Sequence, residues 1–544
     1  MCGNSRRCLG VALAALVSLL AVGPALKATL AAEEAGSLRV GWATADITPD
    51  RPVPLVGFSY ARVSEGVLDA ITATALALES VATDGTGEMV VLVSCDLISI
   101  RDTLRDRVRE LVGEALPELD AERIVLNATH THAAPGVRTS PEVAAKLARH
   151  GIEVPGEWSS FGVVLDAEAM SPVEYLDFAA GRIAGAVIQA WEGREAGGVS
   201  FGLGHAAVGH NRLTTYYDGQ SRMYGGTDQE DFSHIEGYED HSVGLLFTYD
   251  AEGGLTGVVI NVACPSQVSG GTRISADFWH ETRNELRDRL GASLHVLPQC
   301  AAAGDQSPVV LVDRRAEERM QELTGRNRRE QIAVRIADAV TSVLPYMEEQ
   351  IEWNPAFAHR VEQVELSRRR LTEEDIRTPR STHHRAEVET VEEAFERLRE
   401  EYRAMLEALE ANPEMREERG WFRDITGVYW RMARAARVLD RFEIQQTQPS
   451  MPVEVHVIRI GDVALATNPF ELYLDYGVQI KARSRAVQTF VVQRAGGGSY
   501  VPTERCVAGG AYGATPESTP IGPEGGRELV ERTLELIGSL WEDE

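Results

Sequence analysis

Two histidines separated by one residue stand in the run Asn127-Ala128-Thr129-His130-Thr131-His132-Ala133-Ala134-Pro135-Gly136. The stretch before them, Arg123-Ile124-Val125-Leu126, is short and apolar, as a buried strand is. Alternate side chains of a strand share a face, so His130 and His132 are expected on one side of its C-terminal end. Two imidazoles there suit a metal ion or an acid/base pair, although two polar residues ending a strand in water would read the same way. Cys264 occupies a comparable place after the apolar run Leu255–Val262 and just before Pro265. It is either a thiolate donor to a metal or an ordinary buried thiol. Asp305 and Ser307 lie in the turn Gly304-Asp305-Gln306-Ser307-Pro308, which lacks the G-x-S-x-G pattern of a hydrolase nucleophile elbow. Asn468-Pro469-Phe470-Glu471 reads by itself as a helix start, with Asn468 as N-cap and Glu471 as its capping-box partner. Tyr500 follows Gly496-Gly497-Gly498-Ser499.

The elements around these residues predict a mixed α/β fold, with mixed β-sheets flanked by helices and the active site at strand C-terminal ends. Residues 38–48 read as a first strand, and 72–81 and 89–94 as a hairpin. Leu104, Val108, Leu111, Val112 and Leu116 recur at helical spacing, so residues 101–116 form an amphipathic helix that Pro117 stops. Strand–helix–strand leading to His130 suggests a parallel crossover. Residues 137–170 read as loop with one short helix near 141–150, and 210–241 as a polar, Gly- and Tyr-rich loop. Ser171-Pro172-Val173-Glu174 is a capping box that opens a helix to about residue 192. Further strands are expected at 199–205, 243–248, 255–262, 295–297, 361–366, 453–457, 463–467 and 487–493. Helices are expected at about 277–290, 315–347, 468–481 and 527–541.

The chain has 544 residues, enough for a large core, and a net charge of −28, which argues against a nucleic-acid partner. Arg6-Arg7, an uncharged apolar run from 9 to 22 and small residues up to Ala31-Ala32 form a targeting segment, with a loose twin-arginine pattern at Ser5-Arg6-Arg7-Cys8-Leu9. A secreted or periplasmic protein is expected, with a signal peptide at 1–32 and one catalytic unit at 33–544. A charged helical insertion at about 390–442 interrupts that unit. Oligomeric state is not legible.

Four of these stretches, in the same order, resemble neutral (non-lysosomal) ceramidases. Thr129-His130-Thr131-His132 with Pro135-Gly136 resembles that family's T-H-T-H-x-x-P-G segment, and Gly304-Asp305-Gln306-Ser307-Pro308 its G-D-x-S-P loop, which holds the proposed serine. Asn468-Pro469-Phe470-Glu471 is similar to the segment with a zinc-binding glutamate, and Tyr500-Val501-Pro502-Thr503 to the one with a zinc-binding tyrosine. Tyr512 stands at the spacing of a second tyrosine near the scissile bond, and His210-Asn211-Arg212 resembles a segment whose arginine holds substrate. The resemblance spans about residues 38–515. Cys264 stands where the family has its second zinc histidine, and the family's C-terminal sandwich domain is not expected here.

The resemblance implies a Zn2+ ligand set of His130, Cys264, Glu471 and Tyr500. Ser307, His132, Arg212, Tyr512 and Asp305 would surround the reacting bond. It implies hydrolysis of the amide of an N-acyl lipid, with transient contact at a membrane surface. Two alternatives stay open: the same fold and metal acting on another amide or ester, or a binding protein that has lost catalysis.

Overall fold

The computed structural model describes residues 37–542 other than 82–86, 139–143, 146, 154–160, 164, 166–167, 378–379 and 382–387. The expected signal peptide lies outside the described residues. Among the described residues, no helix is long and apolar enough to cross a membrane.

The strands of the larger sheet are β1 (Ser37–Asp46), β2 (Thr72–Val81), β3 (Gly87–Cys95), β4 (Ile124–Ala128), β5 (Glu195–His205), β6 (Ser242–Asp250), β7 (Leu255–Val262) and β8 (His295–Cys300). Their order is β8-β7-β6-β5-β1-β2-β3-β4. The pairs in the middle are antiparallel. At each edge one pair is parallel, β3 with β4 and β7 with β8. Helices α1 (Asp102–Ala115) and α2 (Pro172–Glu192) cover one half of the sheet, and α3 (Phe278–Leu290) and α4 (Arg328–Met347) the other. Of these, α1 and α3 are the crossovers of the two parallel pairs, so the expected strand–helix–strand unit is present twice.

The sheet curls until its edges meet. Ser94 on β3 donates to the Pro298 carbonyl of β8 at 2.5 Å, and Leu76, Leu92 and Val125 of one half pack in one cluster with Val199, Val259 and Leu297 of the other. A buried bidentate ion pair, Arg283 to Asp96 at 2.9 and 3.1 Å, ties α3 to the end of β3.

A second sheet, of β9 (Phe357–Ser367), β10 (Ser450–Ile460), β11 (Val463–Thr467) and β12 (Gln488–Val492), packs on the same core through Ile458, Leu465, Phe490 and Val492. Here too one pair is parallel, β11 with β12, joined by α5 (Leu474–Arg483). Strands β9 and β10 pair antiparallel from Phe357↔Ile460 to Ser367↔Ser450. Residues 368–449 leave and re-enter at that last pair, and they contain α6 (Val391–Ala411) and α7 (Phe422–Ile444). These two helices hold a small core of their own, including Leu398, Tyr402, Ile425, Met432 and Val438, which also packs on Leu147 and Ile152. Helix α8 (Pro523–Ser539) closes the chain against the second sheet.

Two expectations are corrected. Residues 210–241 are not all loop: strands at Leu213–Tyr216, Ser221–Met223 and Phe232–Ile235 form a small sheet, and His210–Asn211 pairs with Gln306–Ser307. The helix expected from Asn468 starts only at Leu474, because Glu471–Leu472 pairs in parallel with Tyr500–Val501. Asn468 accepts instead from the Phe470 backbone at 3.1 Å. Extended pairing thus displaces the capping box that the local sequence favours.

Candidate active site

Three parallel strand pairs end at one place. The loop after β4 carries His130 and His132, the loops after β7 and β8 carry Gln267 and Ser307, and the segments after β11 and β12 carry Glu471 and Tyr500. Backbone hydrogen bonds stitch these loops together. The His132 amide donates to Ser266 at 3.2 Å, the Gly304 amide to Leu472 at 2.8 Å, and the Gln493 amide to Cys300 at 3.0 Å. A Cβ on Gly304 would lie 2.4 Å from the Glu471 carbonyl, so only glycine permits this approach.

His130 has φ of 63°, in the left-handed region. Strand β4 has already ended at Ala128, so the two imidazoles meet through this turn and not through strand alternation. Their Nε2 atoms are 3.5 Å apart and their rings are nearly perpendicular. Each ring is oriented from behind: His130 Nδ1 lies 2.6 Å from the Ile98 carbonyl and His132 Nδ1 lies 3.0 Å from that of Gly57. A carbonyl accepts only, so both Nδ1 atoms carry a proton and both Nε2 atoms point inward. Gln267 Nε2 lies 2.6 Å from His132 Nε2. Burial, then repulsion from His130, pulls the His132 pKa down to about 3.

Glu471 stands opposite, with Oε2 3.6 Å from His130 Nε2 and Oε1 3.7 Å from Arg494. Burial opposes its ionisation, yet His130, Arg494 and Arg212 outweigh it and hold the carboxyl well below the usual range. Tyr500 is its register partner on the neighbouring strand and is hydrogen-bonded to it. Burial, then the Glu471 charge, pushes the Tyr500 phenol well above its usual range. Tyr512 lies edge-on to Tyr500 at 6.1 Å between ring centroids. The buried Arg212 donates to the Gly304 carbonyl at 2.8 Å, Tyr500 at 3.3 Å and Tyr224 at 3.2 Å.

Ser307 and Asp305 lie behind this surface. Ser307 Oγ accepts from Tyr224 at 3.2 Å and from the Val309 amide at 3.2 Å, and is fully buried. Asp305 accepts from the Leu474 amide at 2.9 Å and Asn211 at 3.1 Å, which ties the serine loop to α5. Burial raises its pKa to about 6.

Cys264 does not join the others. Its thiol faces the Val208 and Pro265 carbonyls at 3.6 and 3.4 Å, within the apolar core under β7. Burial, then Cys300, pushes that thiol well above its usual range. The Cys264-Pro265 turn points the side chain down and leaves Gln267, three residues on, to face the histidines. Among the described residues, no group of three or more His, Cys, Asp or Glu side chains has metal-holding geometry, so a metal here needs the Tyr500 oxygen as a donor.

These residues floor a cavity of about 2080 Å³. His130, His132, Arg212, Glu471, Tyr500 and Tyr512 line it, whereas Cys264 and Ser307 do not. Helix α7 forms the facing wall. Gln267, Tyr224 and Arg494 escaped the sequence reading; the faint signals were the tyrosine in a Gly-rich loop and the arginine before three glycines.

No protein-family model and no curated protein matches the sequence. Among solved structures, neutral ceramidase from Pseudomonas aeruginosa is similar in fold, with a TM-score of 0.60 and 16% identity over 93% of this chain and 75% of that one. A structure described as ceramidase complexed with C2 has a TM-score of 0.61 and 16% identity over 93% of this chain and 76% of its own. At such identity the likeness is one of fold.

Proposed function

We propose that this chain is an exported, zinc-dependent amidohydrolase of the neutral-ceramidase kind that cleaves a linear amide into an acid and an amine. The observation that carries the reading is the convergence of His130, Glu471 and Tyr500 at the ends of parallel strand pairs, in a fold shared with neutral ceramidase. The donor chemistry, two imidazoles, a carboxylate and a phenol, suits zinc. A tetrahedral site with bonds of 2.0–2.1 Å has ligand–ligand edges of about 3.3–3.4 Å. The His130–His132 and His130–Glu471 separations of 3.5 and 3.6 Å approach those edges. Zinc would be held by His130, His132, Glu471 and Tyr500. Gln267 would turn its amide away to free the His132 lone pair. Cys264 is left out of this set, since its thiol faces backbone carbonyls in the core.

When bound, zinc polarises the amide carbonyl and lowers the pKa of the attacking water. The Ile98 and Gly57 carbonyls hold a proton on each Nδ1, which would leave the Nε2 lone pairs for the metal. Arg212, fixed by Gly304 and two phenols, sets a permanent cation beside the reacting carbon, where the tetrahedral oxygen gains charge. Tyr512, oriented by Arg434, offers a hydroxyl next to Tyr500. Ser307 supports Tyr224 and does not attack, because its Oγ is buried off the cavity wall.

The test is amine release from N-acylsphingosine and from short acyl anilides by the zinc-loaded protein, with chelation abolishing turnover and zinc restoring it. No turnover of any of them at full zinc occupancy would sink the reading. Processing near Ala31-Ala32, read by N-terminal sequencing of protein recovered outside the cytoplasm, tests export.

A further inference from the structure

The cavity wall opposite the histidines carries a charge that the chain as a whole does not. The protein has a net charge of −28, yet ten arginines line this cavity against five carboxylates, Glu401, Asp424, Asp440, Glu471 and Glu517. Asp440 is engaged elsewhere, on His150 at 2.9 Å, and Glu471 is shared between His130 and Arg494.

The excess is concentrated on one face of α7. Arg434, Arg437 and Arg441 are spaced by three and four residues, which puts them in one row. Neutral oxygens hold two of them. Arg434 donates to Tyr512 at 3.3 Å and Ser518 at 3.1 Å, and Arg441 to the Pro516 carbonyl, with Glu517 beyond it. Arg437 donates only its Nε, to the Ala433 carbonyl one turn back at 3.1 Å, and among the described residues it makes no ion pair. Burial, then repulsion from Arg434, Arg441 and Arg138, pulls the Arg437 pKa down to about 9. Guanidinium groups crowded in this way need an anion to balance them.

The row also has a fixed relation to the catalytic residues. Arg434 stacks on Tyr512 at 4.8 Å, and Tyr512 abuts Tyr500, which bonds to Glu471. Arg434 thus lies two aromatic rings from Glu471, with Arg437 next in the row.

We propose that the substrate is an amide bearing a fixed anionic group (carboxylate, sulfonate or phosphate) several bonds from the scissile bond, received by Arg437 between Arg434 and Arg441. This rests on the hydrolase reading and replaces a neutral N-acyl sphingoid with a charged amide.

The experiment compares the mono-anilide of adipic acid with its uncharged terminal amide. It follows both aniline release and, for the full chain, calorimetric binding of their ketone isosteres, which hold no amide to cleave. The charged isostere is expected to bind about tenfold tighter at low salt, with the advantage shrinking at high salt. Arg437→Gln and Arg441→Gln should each erase most of that advantage, while Arg437→Lys keeps much of it. Equal affinity for the two isosteres, or an advantage that both glutamine variants leave intact, overturns the proposal. Selective binding without hydrolysis of either anilide would sink the hydrolase reading and leave the anion site standing. Equal hydrolysis of both anilides would do the reverse.

Discussion

Replacing His132 by alanine should weaken zinc binding far more than replacing Cys264 by serine. Structural zinc sites with four protein ligands bind with roughly 10–16 kcal/mol, or about 2.5–4 kcal/mol per ligand when divided evenly. His132 Nε2 lies 3.5 Å from His130 Nε2, so its removal deletes one corner of the proposed set. The expected loss is about 10²–10³-fold in zinc affinity. Cys264 donates to backbone carbonyls at 3.4–3.6 Å, a role that a serine hydroxyl can keep, so Cys264→Ser should change affinity by less than about threefold. Competition with a chromophoric chelator at neutral pH measures both variants. Cobalt substitution gives an independent view, since a thiolate ligand adds an intense near-ultraviolet charge-transfer band and an imidazole does not. Equal losses in the two variants, together with that band in the wild type, would refute the assignment and return Cys264 to the metal.

Four further outcomes are expected. Arg283→Met leaves Asp96 buried without its partner and should cost about 3–5 kcal/mol in urea unfolding. Ser307→Ala should retain activity, reduced about 10–100-fold as for loss of one or two supporting hydrogen bonds, with no acyl burst in the wild type; a burst would make the serine a nucleophile. Glu471→Gln removes the carboxylate facing His130 and should abolish turnover while protecting the fold, checked by kinetics and circular dichroism. Asp305 gives a pH signature. Its raised pKa means the native protein holds that proton more tightly, so its contribution to stability is fullest below about pH 4 and is lost as the pH rises through about 6. Comparing Asp305→Asn with wild type at pH 4.5 and 7.5 should show the balance moving toward the asparagine variant by about 2 kcal/mol.

The elements were largely legible because burial on a sheet or a helix leaves a period in the sequence. The run before His130, the α1 stripe and the capping box at Ser171 all became the elements they suggested. What failed were features decided by remote partners. Asn468 and Glu471 spell a helix start locally, but Tyr500, far along the chain, recruits Glu471 into a strand pair. The two histidines do converge, though through a left-handed residue that no periodicity encodes. Cys264 showed what the backbone position could offer and hid where the thiol points, since a Cys-Pro turn can face either side. The arginine row of α7 had the pattern of an ordinary solvated helix, and only its docking over the cavity gives it an inward face.

Both ends of the stretch that carries α6 and α7 are pinned by the same rung, Ser367 opposite Ser450. Because the two helices hold their own core, their outer faces can change while the β9–β10 ladder stays in register, whereas the face that carries Arg434 is tied to Tyr512. The protein therefore separates two inheritances. One set of residues, at the strand ends of the sheets, gathers His130, His132, Glu471 and Tyr500. The other, inserted between β9 and β10, supplies the facing wall of the cavity and reaches back to Tyr512 through Arg434.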